Sequence, residues 1–263
     1  MGKYLESFNI EGKNILITGG RRGIGKGIFE AFAQAGCNVG IMGISDGSDV
    51  AGDMMKKYGG NHKFYQGDVT VISDCKRVCE AFNNDYGSFD VMVNNAGIAR
   101  LNRTLNMPED TLEQWYDVIN TNLNGVFNMC YFAGKIMKEQ GYGNIINISS
   151  MSADLVNLPQ WQVGYNTSKA GVNHLTRSLA AEWAEFGIRV NAIAPGYIQT
   201  EMTVDNDNGW TKGFVTYWTN STPIKKIGSV DQVGAMAVFL ASDASNNCIG
   251  AVLKMDGGYS LAK

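Results

Sequence analysis

Residues 14–36 read NILITGGRRGIGKGIFEAFAQAG, and this stretch decides the fold. Asn14 to Thr18 is an apolar run of strand length that ends directly in glycines. Beyond them Ile24, Ile28, Ala31 and Phe32 recur at helical intervals, and Gly36 closes the helix. A strand, a glycine-rich turn and a helix in direct succession bring free backbone amides at a helix N-terminus close to a phosphate. Gly19, Gly23 and Gly25 supply the turn and the close approach, with Arg21, Arg22 and Ile24 between them. The spacing is G-x-x-x-G-x-G, not G-x-G-x-x-G. A dinucleotide is the ligand this context predicts.

Working outward, the same alternation repeats to the end of the chain. Strands are expected at 39–43, 62–66, 90–94, 144–148, 187–192 and 251–255, and helices at 49–58, 72–85, 111–139, 164–186 and 230–241. Repeated strand–helix units predict an α/β, single-domain Rossmann fold: a seven-stranded parallel sheet with helices on both faces. One domain is expected over 1–263. The stretch 196–222 breaks the pattern, with DNDNG at 205–209 followed by Trp210, Phe214, Tyr217 and Trp218. Because it leaves the carboxyl end of the sixth sheet strand, where open α/β sheets bind ligands, it is expected to form a substrate lid.

Composition narrows the function. There are 32 glycines in 263 residues but only 4 prolines, so the glycines serve tight turns and close backbone approaches, not a flexible linker. A net charge of -3 without a Lys/Arg cluster gives no footprint for nucleic acid. No apolar run approaches the roughly 18 residues of a membrane span, and the N-terminus lacks the apolar core of a signal peptide. Cys37, Cys75, Cys79, Cys130 and Cys248 form no CxxC pair, and with only His62 and His174 available no metal site is expected. Free thiols point to a cytoplasmic protein.

The end of the second strand bears on which nicotinamide cofactor is bound. An acid there would hold the ribose hydroxyls of NAD, whereas its absence beside a basic residue makes room for the 2′-phosphate of NADP. The chain has Gly43-Ile44-Ser45 at that point, with Arg22 in the glycine loop, which favours NADP(H). Asp46 keeps NAD(H) open. Farther on, Tyr165 and Lys169 stand four residues apart on one helix face, and a cation one turn away lowers the pKa of a phenol toward the working range of a base. Upstream, Ile148-Ser-Ser-Met-Ser152 delivers hydroxyls to the end of the fifth strand, able to hold a substrate oxygen.

Together these residues resemble the short-chain dehydrogenases/reductases along the whole chain. TGGRRGIG at 18–25 matches the family's TGxxxGxG, Asn94-Asn95-Ala96-Gly97 its NNAG, Asn122 its catalytic asparagine, and Tyr165 with Lys169 its YxxxK. Asp68-Val69 resembles its adenine contact, and Pro195-Gly196, with Ile198 and Thr200, its segment beside the nicotinamide. The resemblance implies hydride transfer between nicotinamide and a carbonyl or carbinol carbon. Tyr165 would be the acid/base, Lys169 the ribose ligand that lowers the tyrosine pKa, Ser150 the holder of the substrate oxygen, and Asn122 part of a proton relay. Many members space serine and tyrosine by 13 residues, which here would select Ser152; Ser150 is preferred because it follows the strand directly. Residues 149–171 and 189–202 are similar to the polyol and ketose branch: mannitol 2-dehydrogenases, L-sorbose reductases and arabinitol dehydrogenases. Asn157 and Gln160 suit sugar hydroxyls, with Ser152 and Trp161 among the substrate contacts; packing of Trp161 and Trp218 within the lid is the other reading. A NAD-dependent gluconate-type enzyme and a non-catalytic nucleotide sensor stay open as alternatives. The terminal Met255-Asp-Gly-Gly-Tyr259 resembles the family's tetramer-interface segment, so a homotetramer acting on a small molecule is expected.

Overall fold

Side chains alternate faces along a strand, and in Asn14–Thr18 both faces are apolar. Ile15 and Ile17 enter one buried cluster and Leu16 the other, all fully inaccessible, so this strand belongs in the middle of a sheet covered on both sides. The computed structural model describes residues 2–101, 103–106, 108–200 and 210–262. Its strands are β1 (Asn14–Thr18), β2 (Asn38–Gly43), β3 (His62–Gln66), β4 (Val91–Asn94), β5 (Gly143–Ile148), β6 (Ile188–Pro195), β7 (Ile198–Gln199), β8 (Gly228–Ser229) and β9 (Val252–Met255). Seven of them form one parallel sheet in the order β3-β2-β1-β4-β5-β6-β9, and β7 pairs with β8 apart from it.

The helices are α1 (Lys3–Glu6), α2 (Gly23–Gln34), α3 (Ser48–Tyr58), α4 (Ile72–Tyr86), α5 (Glu113–Ile119), α6 (Gly125–Gln140), α7 (Val163–Trp183), α8 (Trp210–Ser221) and α9 (Val230–Ala241). Ile28, Phe29 and Phe32 of α2 join Val233, Ala237 and Leu240 of α9 against one face of the sheet. Val78 and Phe82 of α4, Met129 and Ala133 of α6, and Val172 of α7 cover the other. Each of the larger of these side chains contributes roughly 1.5–3 kcal/mol on burial, and the alanines less. Small residues set the spacing of the α2–α9 pair: a Cβ on Gly234 would lie 2.8 Å from the Cβ of Ala31.

The expected single-domain Rossmann architecture is therefore present, with all seven parallel strands. Two expectations need correction. The helix anticipated over 111–139 is divided, with a π-helical turn at Asn120–Asn124 between α5 and α6. Buried positions four apart, such as Val118, Asn122 and Val126, are compatible with an α-turn or a π-turn, so spacing alone does not reveal the change in hydrogen-bond register. Within 196–222 the chain also forms β7 and the helix α8, which the polar composition did not suggest. Residues 201–209, including DNDNG, and the side chain of Trp210 lie outside the described residues. Among the described residues no His/Cys/Asp/Glu group could hold a metal ion, and no helix is long and apolar enough to cross a membrane.

Candidate active site

The chain moves outward from β1 toward β3 and then, after β4, outward in the opposite direction, so the carboxyl ends of β1 and β4 diverge. Such a switch point opens a crevice. A cleft of about 910 Å³ lies there, lined by the glycine loop and by residues following β2, β4, β5 and β6.

The glycine loop forms one wall. Gly19 and Gly23 take φ values of +68° and +54°, a region L side chains avoid. Arg22 is the N-cap of α2 and makes no side-chain capping bond, which leaves the first amides of the helix to an anion. A Cβ on Gly25 would collide with the carbonyl oxygen of Gly19. Asn95 locks this loop: its Nδ2 donates to the carbonyls of Thr18 and Gly19 at 2.9 and 3.0 Å, while the Asn95 and Ala96 amides both donate to Thr18 Oγ1 at 3.0 Å. The side chain of Asn95 thus holds the cradle in shape, and its amide hydrogens are spent on the loop.

At the β2 end, Gly43 leaves room: an added Cβ would meet nothing nearer than Ser45 O at 3.7 Å. Asp46 accepts from the amide and the hydroxyl of Ser48 at 2.9 and 2.7 Å, and these bonds, the hydroxyl's first, hold its carboxyl below the usual range. The Arg21 stem reaches this point as well, its Cδ 3.6 Å from where a Cβ of Gly47 would stand. Asp68 and Val69 line the same end, with Asp68 Oδ1 accepting from the amide and hydroxyl of Thr70, both at 2.8 Å. Glycines where backbone must approach and open amides at α2 fit a dinucleotide.

The serines after β5 divide their work. Ser149 turns inward and donates to Asn173 Oδ1 at 2.6 Å, whereas Ser150 lines the cleft together with Tyr165, near enough for its hydroxyl to favour the phenolate. Ser152 stands 3.0 Å from Ser150, its backbone amide donating to Ser150 Oγ at 3.1 Å. Tyr165 feels the hydroxyl of Ser150 and not that of Ser152, which favours Ser150 despite the shorter spacing of the latter. Lys169 is buried, donates from Nζ to the Ile148 carbonyl at 2.7 Å, and lies 5.6 Å from the Tyr165 ring centroid. Burial brings its pKa down to about 8. Tyr165 behaves opposite to the expectation: burial pushes its pKa up, outweighing the lowering effect of the Ser150 hydroxyl, because removing a phenolate from water costs more than one nearby hydroxyl returns.

Asn122 sits in the π-turn, fully buried behind the cleft wall. Its side chain clips Ile98 twice, accepting from the Ile98 amide and donating to its carbonyl, both at 2.8 Å, and it donates to Ser168 Oγ at 3.1 Å. A Cβ on Gly97 would lie 3.2 Å from Asn122 Oδ1 and 3.7 Å from Lys169 Nζ, so glycine there keeps these groups within reach of the cleft. Pro195, Gly196, Ile198 and Thr200 complete the lining on the β6 side.

The opposite wall comes from 152–162, Tyr197 and α8. Trp161, expected among the substrate contacts, is instead 42% exposed outside this lining, with the Arg103 guanidinium 5.3 Å from its ring centroid. Its neighbours Gln160 and Gln162 point in where it does not. Gln162 and Tyr197 escaped the sequence reading, since no motif marks either. Trp218 is buried and stacks on Tyr197 at 4.3 Å between centroids. His174 is exposed on α7, remote from the chemistry.

Residues 19–260 match the family model described as enoyl-(acyl carrier protein) reductase. The chain is 37% identical over 257 residues to sorbose reductase SOU1 of Candida albicans, covering 97% of this chain and 90% of that protein. It is 38% identical over 259 residues to a probable NADP-dependent mannitol dehydrogenase of Yarrowia lipolytica, with coverage of 97% and 90%. The crystal structure of an NADPH-dependent 3-quinuclidinone reductase from Rhodotorula rubra superposes with a TM-score of 0.90 at 34% identity, covering 99% of this chain and 96% of that one. A glycine cradle, a serine–tyrosine–lysine cluster and full-length similarity to known reductases lead to one conclusion: the chain is an oxidoreductase of the short-chain dehydrogenase/reductase family.

Proposed function

We propose that the protein is an NADP(H)-dependent oxidoreductase that interconverts ketoses and polyols. The observation that carries this reading is one continuous cleft joining an anion cradle, the Ser150–Tyr165–Lys169 cluster and a wall of side-chain amides. Sorbose reductase and mannitol dehydrogenase among its relatives support the substrate class. Arg21 and the open space at Gly43 support the phosphorylated cofactor, as does the place of Asp46 outside the cleft lining, where its Oδ1 accepts from Ser48. Two relatives are themselves named for NADP or NADPH.

Bound in the cleft, the nicotinamide supplies or accepts the hydride. The protein's own groups handle the oxygen and the proton. Ser150 donates a hydrogen bond to the substrate oxygen and fixes it beside Tyr165. Tyr165, held protonated by burial, gives its proton to that oxygen in reduction and recovers it in oxidation. Lys169, anchored on Ile148, holds the ribose side of the cofactor and places a cation near the ring while the phenolate exists. Asn122 positions the Ile98 backbone beside Gly97 and anchors the proton relay. Gly19, Arg22, Gly23, Ile24 and Gly25 hold the pyrophosphate, Arg21, Gly43 and Ser45 the extra phosphate, Asp68 and Val69 the adenine. Ala96, Gly97, Pro195, Gly196, Ile198 and Thr200 flank the nicotinamide. Of the lid segment, Tyr197, Ile198, Thr200 and Trp218 of α8 flank the substrate end. The protein works as a cytoplasmic homotetramer.

The test follows the absorbance of NADPH and of NADH with fructose, sorbose and ribulose. Consumption of NADPH with at least one ketose is the expected result. Tight binding of either cofactor without turnover of any carbonyl compound would instead assign a nucleotide sensor.

A further inference from the structure

The loop 152–162 carries a hydrogen-bonded array that neither the acid–base cluster nor the dinucleotide cradle uses. Gln160 is 9% exposed, and its Oε1 accepts from the Trp218 indole N–H at 3.1 Å and from the Tyr197 hydroxyl at 3.0 Å. An indole nitrogen only donates, so the end of the amide facing it is the carbonyl oxygen and the orientation is settled. The Nε2 end finds no acceptor among the described residues, and Gln160 lines the cleft.

The polarity of the next links follows. The Tyr197 hydroxyl, having given its proton to Gln160, accepts from Asn157 Nδ2 at 3.3 Å, and Asn157 Oδ1 accepts from Gln162 Nε2 at 3.1 Å. Gln162 Nε2 also reaches Ser152 Oγ at 3.5 Å, beside Ser150. A continuous chain of hydrogen bonds therefore runs from α8 through Gln160, Tyr197, Asn157 and Gln162 to Ser152, its donor direction reversing at Gln160, which accepts from both neighbours, and at Gln162, which donates to both. The Gln160 Nε2 is not one of the buried atoms left without a partner, so it faces the open cleft, where water or a substrate oxygen can accept from it. Gln160 is satisfied at one end and offers the other to the cleft. That is the arrangement of a site that reads a substrate oxygen.

We infer that Gln160 is a specificity-determining residue, donating from Nε2 to one hydroxyl oxygen of a polyhydroxylated substrate while Trp218 and Tyr197 hold its amide in the required orientation. The inference rests on the ketose–polyol reading. Its test is a cycle of two enzymes and a substrate series: wild type and Gln160→Leu, each with a ketohexose and with analogues lacking one hydroxyl at a time. Loss of the hydroxyl that Gln160 reads is expected to lower the wild-type kcat/KM about tenfold, chiefly by raising KM. The same deletion is expected to cost Gln160→Leu nothing. Should that variant not fold, Trp218→Phe carries the cycle, since it keeps the ring stacked on Tyr197 and frees the amide to turn; discrimination at that hydroxyl is expected to shrink. Equal losses in wild type and variant for every analogue overturn the inference. Turnover of simple ketones with no ketose accepted overturns the substrate reading, and this inference with it.

Discussion

The two ends of the cleft are built by different means. At the phosphate end the working groups are backbone amides, placed by glycines at 19, 23 and 25 within a single turn, and one side chain, Asn95, ties that turn shut. At the substrate end the working groups are side chains drawn from 150–162, Tyr197 and α8, held by bonds between segments up to 58 residues apart. The first design is rigid and indifferent to which oxidoreductase it serves. The second can be retuned by one substitution, because each link is a single hydrogen bond worth about 1 kcal/mol.

The sharpest way to break this contrast is to remove the reacting group and leave the cradle alone. Tyr165→Phe is expected to lower turnover by about 10²–10⁴-fold, with the NADPH dissociation constant essentially unchanged by fluorescence titration. Retained turnover would assign the proton transfer to another residue.

Lys169 lies where the two ends meet and tests the electrostatics between them. Burial lowers its pKa from 10.5 to about 8, so between those values the folded chain binds fewer protons than the unfolded one and stability rises with pH. Below that window both states are protonated and the full cost of burying the ammonium is present. Relative to Lys169→Met, wild type is expected to gain up to about 3 kcal/mol from pH 8 to pH 10.5 in urea titrations. A difference independent of pH would mean that the ammonium is not desolvated in the fold.

Next in size is a change confined to the phosphate end. Gly43→Asp places a carboxylate where the extra phosphate is proposed, and the ratio of kcat/KM for NADPH over NADH is expected to fall about a hundredfold. An unchanged ratio would move the phosphate elsewhere. The smallest effect is expected at Trp161, outside the lining: Trp161→Ala should alter ketose kcat/KM by less than about twofold. A larger loss would bring that ring into the substrate wall after all.

Legibility in the sequence followed the same division. The strands of the main sheet and the helices α2, α3, α4, α7 and α9 were readable because each is a local pattern of apolar residues with its own turn signals, whereas α5 and α6 were legible only as one helix. The α9 boundaries at Val230–Ala241 match the expected range throughout, marked by Ser229 and Gln232 as a capping box. The π-turn at Asn122 was not readable, since buried positions four apart fit a bond that closes four or five positions back. Of two adjacent candidates, Gln160 proved to line the cleft and Trp161 did not, a choice made by Trp218 and Tyr197 far along the chain.

The residues alone determined the seven-stranded parallel order of alternation, the glycine cradle after β1 and the pairing of Tyr165 with Lys169 one helical turn apart, because each of these depends on spacing along a few turns of chain. Tertiary structure decided which serine meets Tyr165, whether its phenol is pushed up or down, and which amide at the substrate wall is left with an unspent donor. Those outcomes depend on burial and on contacts between distant segments, and no local spacing encodes either.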